Sequence, residues 1–529
     1  MKKLSLVIFS IQVIWTSSLC AQAGKLDMEF GGGDGLVATS FFSQQPAEGF
    51  AIAVHPDGRI MVSGYTRAAD DIEYATLACY QSNGTLDHSF NGTGKLVLPA
   101  SGVYAYSQAL AIQPDGKVIV VAVQYDSQET WIALYRYNAD GSPDITFDDD
   151  GRLTTKFGVA YASANAIACQ PDGKILVGGY IGNANEDFDR FYVARYLPDG
   201  GLDSSFDEDG IAITAVGDGY TGIASVLVQP DGKIIAAGYA EFDQQEAFAV
   251  VRYYSDGTLD YSFGDDGIAS AFLGTGYNRG KDAALQSDGK LVIGGYSYNS
   301  VTGEAAFAAI RFNSDGTPDA SFDGDGMVKV AISGYSDGAR TMLLQPDGKI
   351  LLGGYVHSDI NGGPDMAMVR LTQNGIPDIT FSGDGMIVYA DGESISSEIY
   401  DMAFQPDGKI VATGYARTDG LNSVRVARFI SGLTVGTSDL AIPDIDISVY
   451  PNPVVDDVVI AYQLTEMQTI AIRLCDSQGR VVQELMSPSM RYPRNYAEQL
   501  RLKDNMPPGI YFINVYTGER MKSIRILVE

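Results

Sequence analysis

The chain has 529 residues, with 36 basic against 66 acidic side chains and a formal charge of −30. A charge of that size repels phosphate backbones and anionic headgroups, which excludes nucleic acid as a natural partner. Charged residues are 19% and apolar residues 45% of the sequence, so this is a folded protein with an acidic surface, and its length calls for several domains or a repeat array.

Lys2 and Lys3 precede an apolar run from Leu4 to Trp15 and a small, polar stretch ending Ala21-Gln22-Ala23. This is the layout of a secretory signal peptide over residues 1–23, with cleavage expected near Ala21 or Ala23. The run is too short to hold the chain in a bilayer, and bulky Leu19 argues against lipid modification of Cys20. Cys79, Cys169 and Cys475 are scattered and odd in number, which fits small buried residues and neither a zinc site nor a disulfide framework. No later stretch is apolar enough for a transmembrane helix.

From residue 26 onward the sequence repeats. A Gln-Pro-Asp-Gly-Lys turn or a close variant places its glycine at Gly58, Gly116, Gly173, Gly232, Gly289, Gly348 and Gly408, at intervals of 57 to 60 residues. A second signature, Leu/Pro-Asp-x-Ser/Thr-Phe before an acidic Gly-rich loop, has its aspartates at Asp27, Asp87, Asp144, Asp203, Asp260, Asp319 and Asp378. Each unit reads as four short strands; in the fourth these are 224–229, 233–239, 248–254 and 268–272. Proline presets φ at the first turn corner and glycine takes the left-handed position, so the motif suits a hairpin.

Four antiparallel strands per repeat describe a propeller blade. The array begins with the second half of a unit (Leu26 to Phe41) and ends with the first half of one (Gln405 to Ile430). The expected fold is therefore all-β, a seven-bladed β-propeller over residues 24–432, closed by residues 36–41 acting as the outer strand of the last blade, which removes two free sheet edges. Residues shared by every unit are expected to build blades. Phe90, Phe147, Phe206, Phe263, Phe322 and Phe381 should plug the gaps between them. Arg136, Arg195, Arg252, Arg311, Arg370 and Arg428 should clamp the recurrent aspartates, with Cys79 standing in that place in the first unit.

The two motifs resemble the delta-60 repeat family of bacterial β-propellers, a resemblance that implies a fold far more than an activity. After a linker at 433–445, residues 446–529 carry short β-patterned runs suited to a small Ig-like sandwich. Tyr450-Pro451-Asn452-Pro453, Gly479-Arg480, Gly509-Ile510-Tyr511 and Lys522 resemble, in order and spacing, the C-terminal sorting domain of the type IX secretion pathway of Bacteroidetes. That resemblance implies export through the periplasm, recognition by the type IX machinery, and release or attachment at the outer-membrane surface.

Three candidate sites follow from the residues. The acidic loops containing Asp148 and Asp150, Asp207 and Asp209, and Asp323 and Asp325 offer the alternating oxygens that calcium accepts, or else are solvated turns; no other cofactor is indicated. In a four-stranded meander the patterned turns lie at one end, and everything that varies lies at the other, including 182–190, 241–246, 297–303 and 356–364. On that variable end a tyrosine recurs at Tyr104, Tyr161, Tyr220, Tyr277 and Tyr335, placed to stack on a sugar or peptide, or to pack against neighbouring loops. With three isolated histidines, His55, His88 and His357, no catalytic constellation stands out. The expectation is a secreted or surface-displayed non-enzymatic binding, adhesion or scaffold protein with a glycan or protein ligand. The alternative is a polysaccharide-active hydrolase or lyase, which carboxylates and basic residues converging in a deep channel pocket would favour.

Overall fold

The computed structural model describes residues 23–433 except 101–102, 128, 183–187, 358–362, 391 and 393. Within 447–528 it describes all but 451–453, 455–456, 465–467, 477–480, 492–494, 504–505, 508 and 518–519. The expected signal peptide up to residue 22, the expected linker from residue 434 and parts of the two variable loops at 182–190 and 356–364 thus fall outside the described residues. Contacts divide the chain into one unit ending at Leu433 and a second starting at Thr434.

The first unit is seven four-stranded antiparallel sheets. Blade four shows the pattern: Thr221–Val228, Ile234–Phe242, Gln245–Tyr253 and Ile268–Ala271, each hydrogen-bonded to the next. The central two strands are buried almost throughout because both faces of each blade are covered by its neighbours. In the last blade the outer strand is Leu36–Thr39, paired antiparallel with Leu421–Phe429 in the register Leu36 to Ala427 and Thr39 to Val424. The innermost strands of blades seven and one also pack together, so the ring is closed as the half-units at the two ends require.

The shared residues do structural work. The motif phenylalanines, Phe30 included, are at most 2% exposed. In six blades the third-strand arginine reaches the motif aspartate at 2.6–2.8 Å and lies 4.5–4.8 Å from the centre of the motif phenylalanine ring. Its other guanidinium nitrogen donates to a turn carbonyl of the following blade, as Arg252 does to Ser314 O at 2.6 Å. Burial alone would raise the Asp144 carboxyl, but hydrogen bonds from Thr146 and Lys117 and the charge of Arg136 outweigh it and hold the group at about 2.

The second unit is a two-sheet sandwich. One sheet orders Ile447–Tyr450, Asp457–Gln463 and Asn495–Arg501; the other orders Val481–Arg491, Gln468–Asp476, Gly509–Thr517 and Arg520–Val528. Val458, Ile460, Ile472, Ile513 and Ile526 form the core between them. The fourth strand pairs with the third, whereas the constant-type Ig arrangement pairs it with the fifth.

Candidate functional site

The innermost strands line the central channel, and each is broken once in register with its neighbour. The skipped residues are Phe50, Gln108, Asn165, Ala224, Lys281, Arg340 and Tyr400, one per blade. A β-bulge leaves its extra residue unpaired and re-aims the side chain. All seven line one cavity of about 590 Å³, and each is half-buried. On a scaffold built by repetition, no two of these seven residues are alike.

The bulge explains a glycine in the adjoining strand. A Cβ at Gly238 would lie 2.0 Å from Gly222 O, and one at Gly295 would lie 1.9 Å from Arg279 O, because the kinked inner strand presses its backbone against them. A tyrosine follows each such glycine, at Tyr65, Tyr180, Tyr239, Tyr296, Tyr355 and Tyr415. Blade two has Ala122 and Val123 instead, and there the inner strand supplies the ring, Tyr106, opposite Val123.

The charged groups of the cavity wall and those that hold them lie on one side of the ring, in blades four to seven. Arg279 is held by both oxygens of buried Glu246 and stacks 4.6 Å from the Tyr239 ring. Arg340 donates to Glu398 at 3.2 Å and lies 5.1 Å from Tyr355 and 5.7 Å from Tyr400. Lys281 Nζ sits between the rings of Tyr239 and Tyr296, at 6.0 and 5.8 Å. Burial, and then the charges of Arg340 and Arg279, push its ammonium down to about 8.

Next to these cations Asp282 and Asp401 stand on either side of Thr341. Thr341 Oγ1 is 3.3 Å from Asp282 Oδ2 and 3.1 Å from Asp401 Oδ1. The hydroxyl has one proton and can donate to only one carboxyl; the other contact is attractive when that carboxyl carries a proton and donates in return. Burial raises Asp282 to about 6, and burial together with the Asp282 charge raises Asp401 to about 7. Asp282 Oδ2 also accepts the Met342 N–H at 3.0 Å while its Oδ1 accepts that of Ala283 at 2.7 Å, and Asp401 Oδ2 accepts the Ile52 N–H at 2.8 Å; Met342 and Ile52 each belong to the following blade. The pair can therefore exchange a proton near neutral pH inside a cavity that also holds aromatic faces and cations.

The sequence-derived sites fall elsewhere. Tyr104, Tyr220, Tyr277 and Tyr335 are 40–62% exposed and Tyr161 is half-buried; they lie four or five residues before the bulges, at the starts of the inner strands, and none lines the cavity. Tyr104 stacks on Tyr125 and Tyr277 on Tyr298. In the acidic loops Asp150, Asp209 and Asp325 accept the N–H two residues on, at 2.8–2.9 Å, while Asp148, Asp207 and Asp323 adopt positive φ. Among the described residues no group of three or more candidate ligands is placed to hold a metal. In the sandwich Tyr450 is half exposed and buried Tyr511 donates to Pro507 O at 3.0 Å. Gly509, Ile510 and Lys522 lie on the paired final strands, and Pro451, Asn452, Pro453, Gly479 and Arg480 lie outside the described residues. The bulge ring and the charged pair escaped sequence reading. Their signal was charge midway along the inner strands, Lys281-Asp282, Arg340 and Asp401, together with the recurrent Gly-Tyr.

A family model described as a β-propeller domain of unknown function (DUF5122) matches residues 55–90, 113–147, 170–206, 229–263, 286–322, 345–381 and 405–432. A second, described as a secretion system C-terminal sorting domain, matches 448–529. Among curated proteins, none matches. Solved structures similar to the chain include polysaccharide lyase Uly1, at 11% identity over 73% of this chain and 90% of that one, with a TM-score of 0.39. The α-L-arabinofuranosidase of Fusarium graminearum with arabinobiose is 11% identical over 62% and 92%, with a TM-score of 0.37. A putative glycoside hydrolase from Parabacteroides distasonis is 10% identical over 73% and 88%, with a TM-score of 0.27.

At these identities the likeness is one of fold, and the substrates named are those proteins' own. The expectation that the chain is not an enzyme is corrected: the solved structures similar to it include a polysaccharide lyase, an α-L-arabinofuranosidase and a putative glycoside hydrolase. That expectation rested on three isolated histidines and on the fact that, among 66 acidic residues, sequence alone selects no pair. The sorting domain directs export through the type IX pathway to the cell surface or extracellular space. The chain is a seven-repeat β-propeller protein carrying a type IX secretion sorting domain at its C-terminus.

Proposed function

We propose that the chain is a secreted polysaccharide-active hydrolase or lyase and that the central cavity is its active site. The observation that carries this reading is the convergence, in one channel cavity, of Asp282 and Asp401 with Lys281, Arg340 and the rings of Tyr239 and Tyr400. General acid–base work needs groups whose pKa lies near the operating pH, and the Asp282–Asp401 pair, at about 6 and 7, meets that need. One carboxyl of the pair donates a proton to the leaving oxygen, the other accepts one, and the aromatic faces hold sugar rings. The cavity's 590 Å³ lies within the range of small-ligand sites. The exposed rim tyrosines, about 13 Å along the strand from the bulges, extend the binding surface for a polymer.

The test is product release from a panel of neutral and acidic polysaccharides by the purified chain. New reducing ends report hydrolysis, and ultraviolet absorbance of an unsaturated product reports elimination. Activity on at least one member, lost in Asp282→Asn and Asp401→Asn variants that still fold, is the expected result. Activity untouched by both substitutions, or none on any member, overturns the assignment.

A further inference from the structure

The cations of the channel are not equivalent, and the difference defines what the cavity takes. Arg279 is neutralised by both oxygens of Glu246. Arg340 has one oxygen of Glu398, whose other oxygen accepts from Tyr415 at 3.3 Å. Lys281 has no carboxylate within ion-pair distance among the described residues. Asp282, its neighbour in the chain, is committed to the N–H groups of Ala283 and Met342 and to Thr341. What acts on the Lys281 ammonium is two tyrosine faces, the charges of Arg340 and Arg279 and, less strongly, that of Glu246, whose two oxygens are already taken by Arg279.

Removing an ammonium from water without a counter-ion is costly, so buried charges are ordinarily paired. In a chain with 66 acidic residues a partner carboxylate is easily come by, yet among the described residues none is within ion-pair distance of Lys281. The other bulge positions of blades one to four are neutral, so Lys281 and Arg340 stand out as adjacent cations pointing into the one cavity.

We propose that the cavity binds a sugar unit bearing an anionic substituent, a carboxylate or a sulfate, with Lys281 as the principal counter-charge and Arg340 beside it. This rests on the reading of the cavity as a polysaccharide site and narrows its substrate class to acidic polysaccharides. The sugar ring packs on Tyr239 or Tyr296 while its anion reaches Lys281 Nζ, so ring and charge are recognised by groups already in contact. The anion completes an ion pair that the protein leaves half made.

Isothermal titration of the full chain with trigalacturonate, a sulfated galactotriose and neutral galactotriose separates the outcomes. Both charged sugars, or one of them, are expected to bind at least about tenfold tighter than the neutral one. Lys281→Met is expected to erase that preference, bringing the charged sugars to the affinity of the neutral one, while Lys281→Arg retains it; the unfolding midpoint of each variant checks the fold. Which charged sugar wins distinguishes carboxylate from sulfate recognition. Equal affinity for neutral and charged sugars, or a preference that survives in Lys281→Met, overturns the anion subsite and leaves the polysaccharide reading standing. Binding of none of the three, together with an inactive polysaccharide panel, overturns both.

Discussion

Arg59 Nη1 donates to Ala139 O at 2.7 Å, and this bond replaces one that blade one lacks the residue to make. In the other six blades the third-strand arginine holds the motif aspartate and the next blade's turn carbonyl. Blade one has Cys79 there, whose Sγ is 4.0 Å from Asp87. Its turn carries Arg59 where the other units carry lysine, and the Arg59 guanidinium reaches both that carbonyl and, at 3.6 Å, Asp87. One substitution compensates the other across the hairpin.

Arg59→Lys should therefore be costly although lysine is the residue of the other six turns. A loss of about 1–3 kcal/mol in unfolding free energy is expected for the missing charged hydrogen bonds. Adding Cys79→Arg to that background restores the arrangement of the other blades and should recover most of the loss. A double-mutant cycle by urea denaturation reads the coupling; additive effects would remove the compensation.

Gly238→Ala should cost about 1–3 kcal/mol, because its Cβ has nowhere to go but the Gly222 carbonyl. Gly201→Ala is the control: its φ is ordinary and the nearest atom to a Cβ is 3.6 Å away, so a change within about 0.5 kcal/mol is expected. Thermal unfolding of the two variants side by side decides it, and equal midpoints would mean the bulges do not constrain the second strands.

Stability should peak in mildly acidic solution. The clamp aspartates, Asp144, Asp203, Asp260 and Asp319 among them, have lowered pKa, so their contribution is present above the ordinary 3.8 and lost as pH falls through their native values. Asp282 and Asp401 are raised, so the native state holds extra protons between 3.8 and about 7, and their contribution is lost as pH rises through that window. Above about 8 the depressed Lys281 acts in the opposite sense, since the unfolded chain then binds the extra proton. Unfolding free energy measured from pH 3 to 9 should rise to about pH 4–5, decline to about pH 7 at up to about 1.4 kcal/mol per pH unit per proton, and turn upward above about pH 8. A flat profile from pH 5 to 7.5 would mean the pair is ionised throughout.

Thr341→Val removes the hydroxyl that both carboxyls share. Its hydrogen bonds favour the ionised forms, so losing them should move the Asp282–Asp401 titration, and the basic limb of any pH–rate profile, to higher pH. Carbon-detected titration of the two carboxyls reads the shift directly; a move to lower pH would mean that the hydroxyl chiefly accepts from a protonated carboxyl.

The scaffold was legible because repetition amplifies it. Pro230-Asp231-Gly232, Asp260 and Arg252 recur in most units, and half-units at the two ends force Leu36–Thr39 onto Leu421–Phe429. The site was not legible because a bulge is a property of register, with no residue alphabet of its own: Phe50, Ala224 and Lys281 share a position and nothing else. Searching for what recurs selects Tyr104 and Tyr277, which sit on the rim, and passes over Lys281 and Arg340, which occur once each.

A crystal structure of the Asp282→Asn chain with an acidic trisaccharide tests the central claim most directly. The sugar should lie in the channel against Tyr239 or Tyr296, its anionic group within ion-pair distance of Lys281. Sugar bound only at the rim near Tyr220 or Tyr335, with the channel between blades four and seven unoccupied, would contradict it.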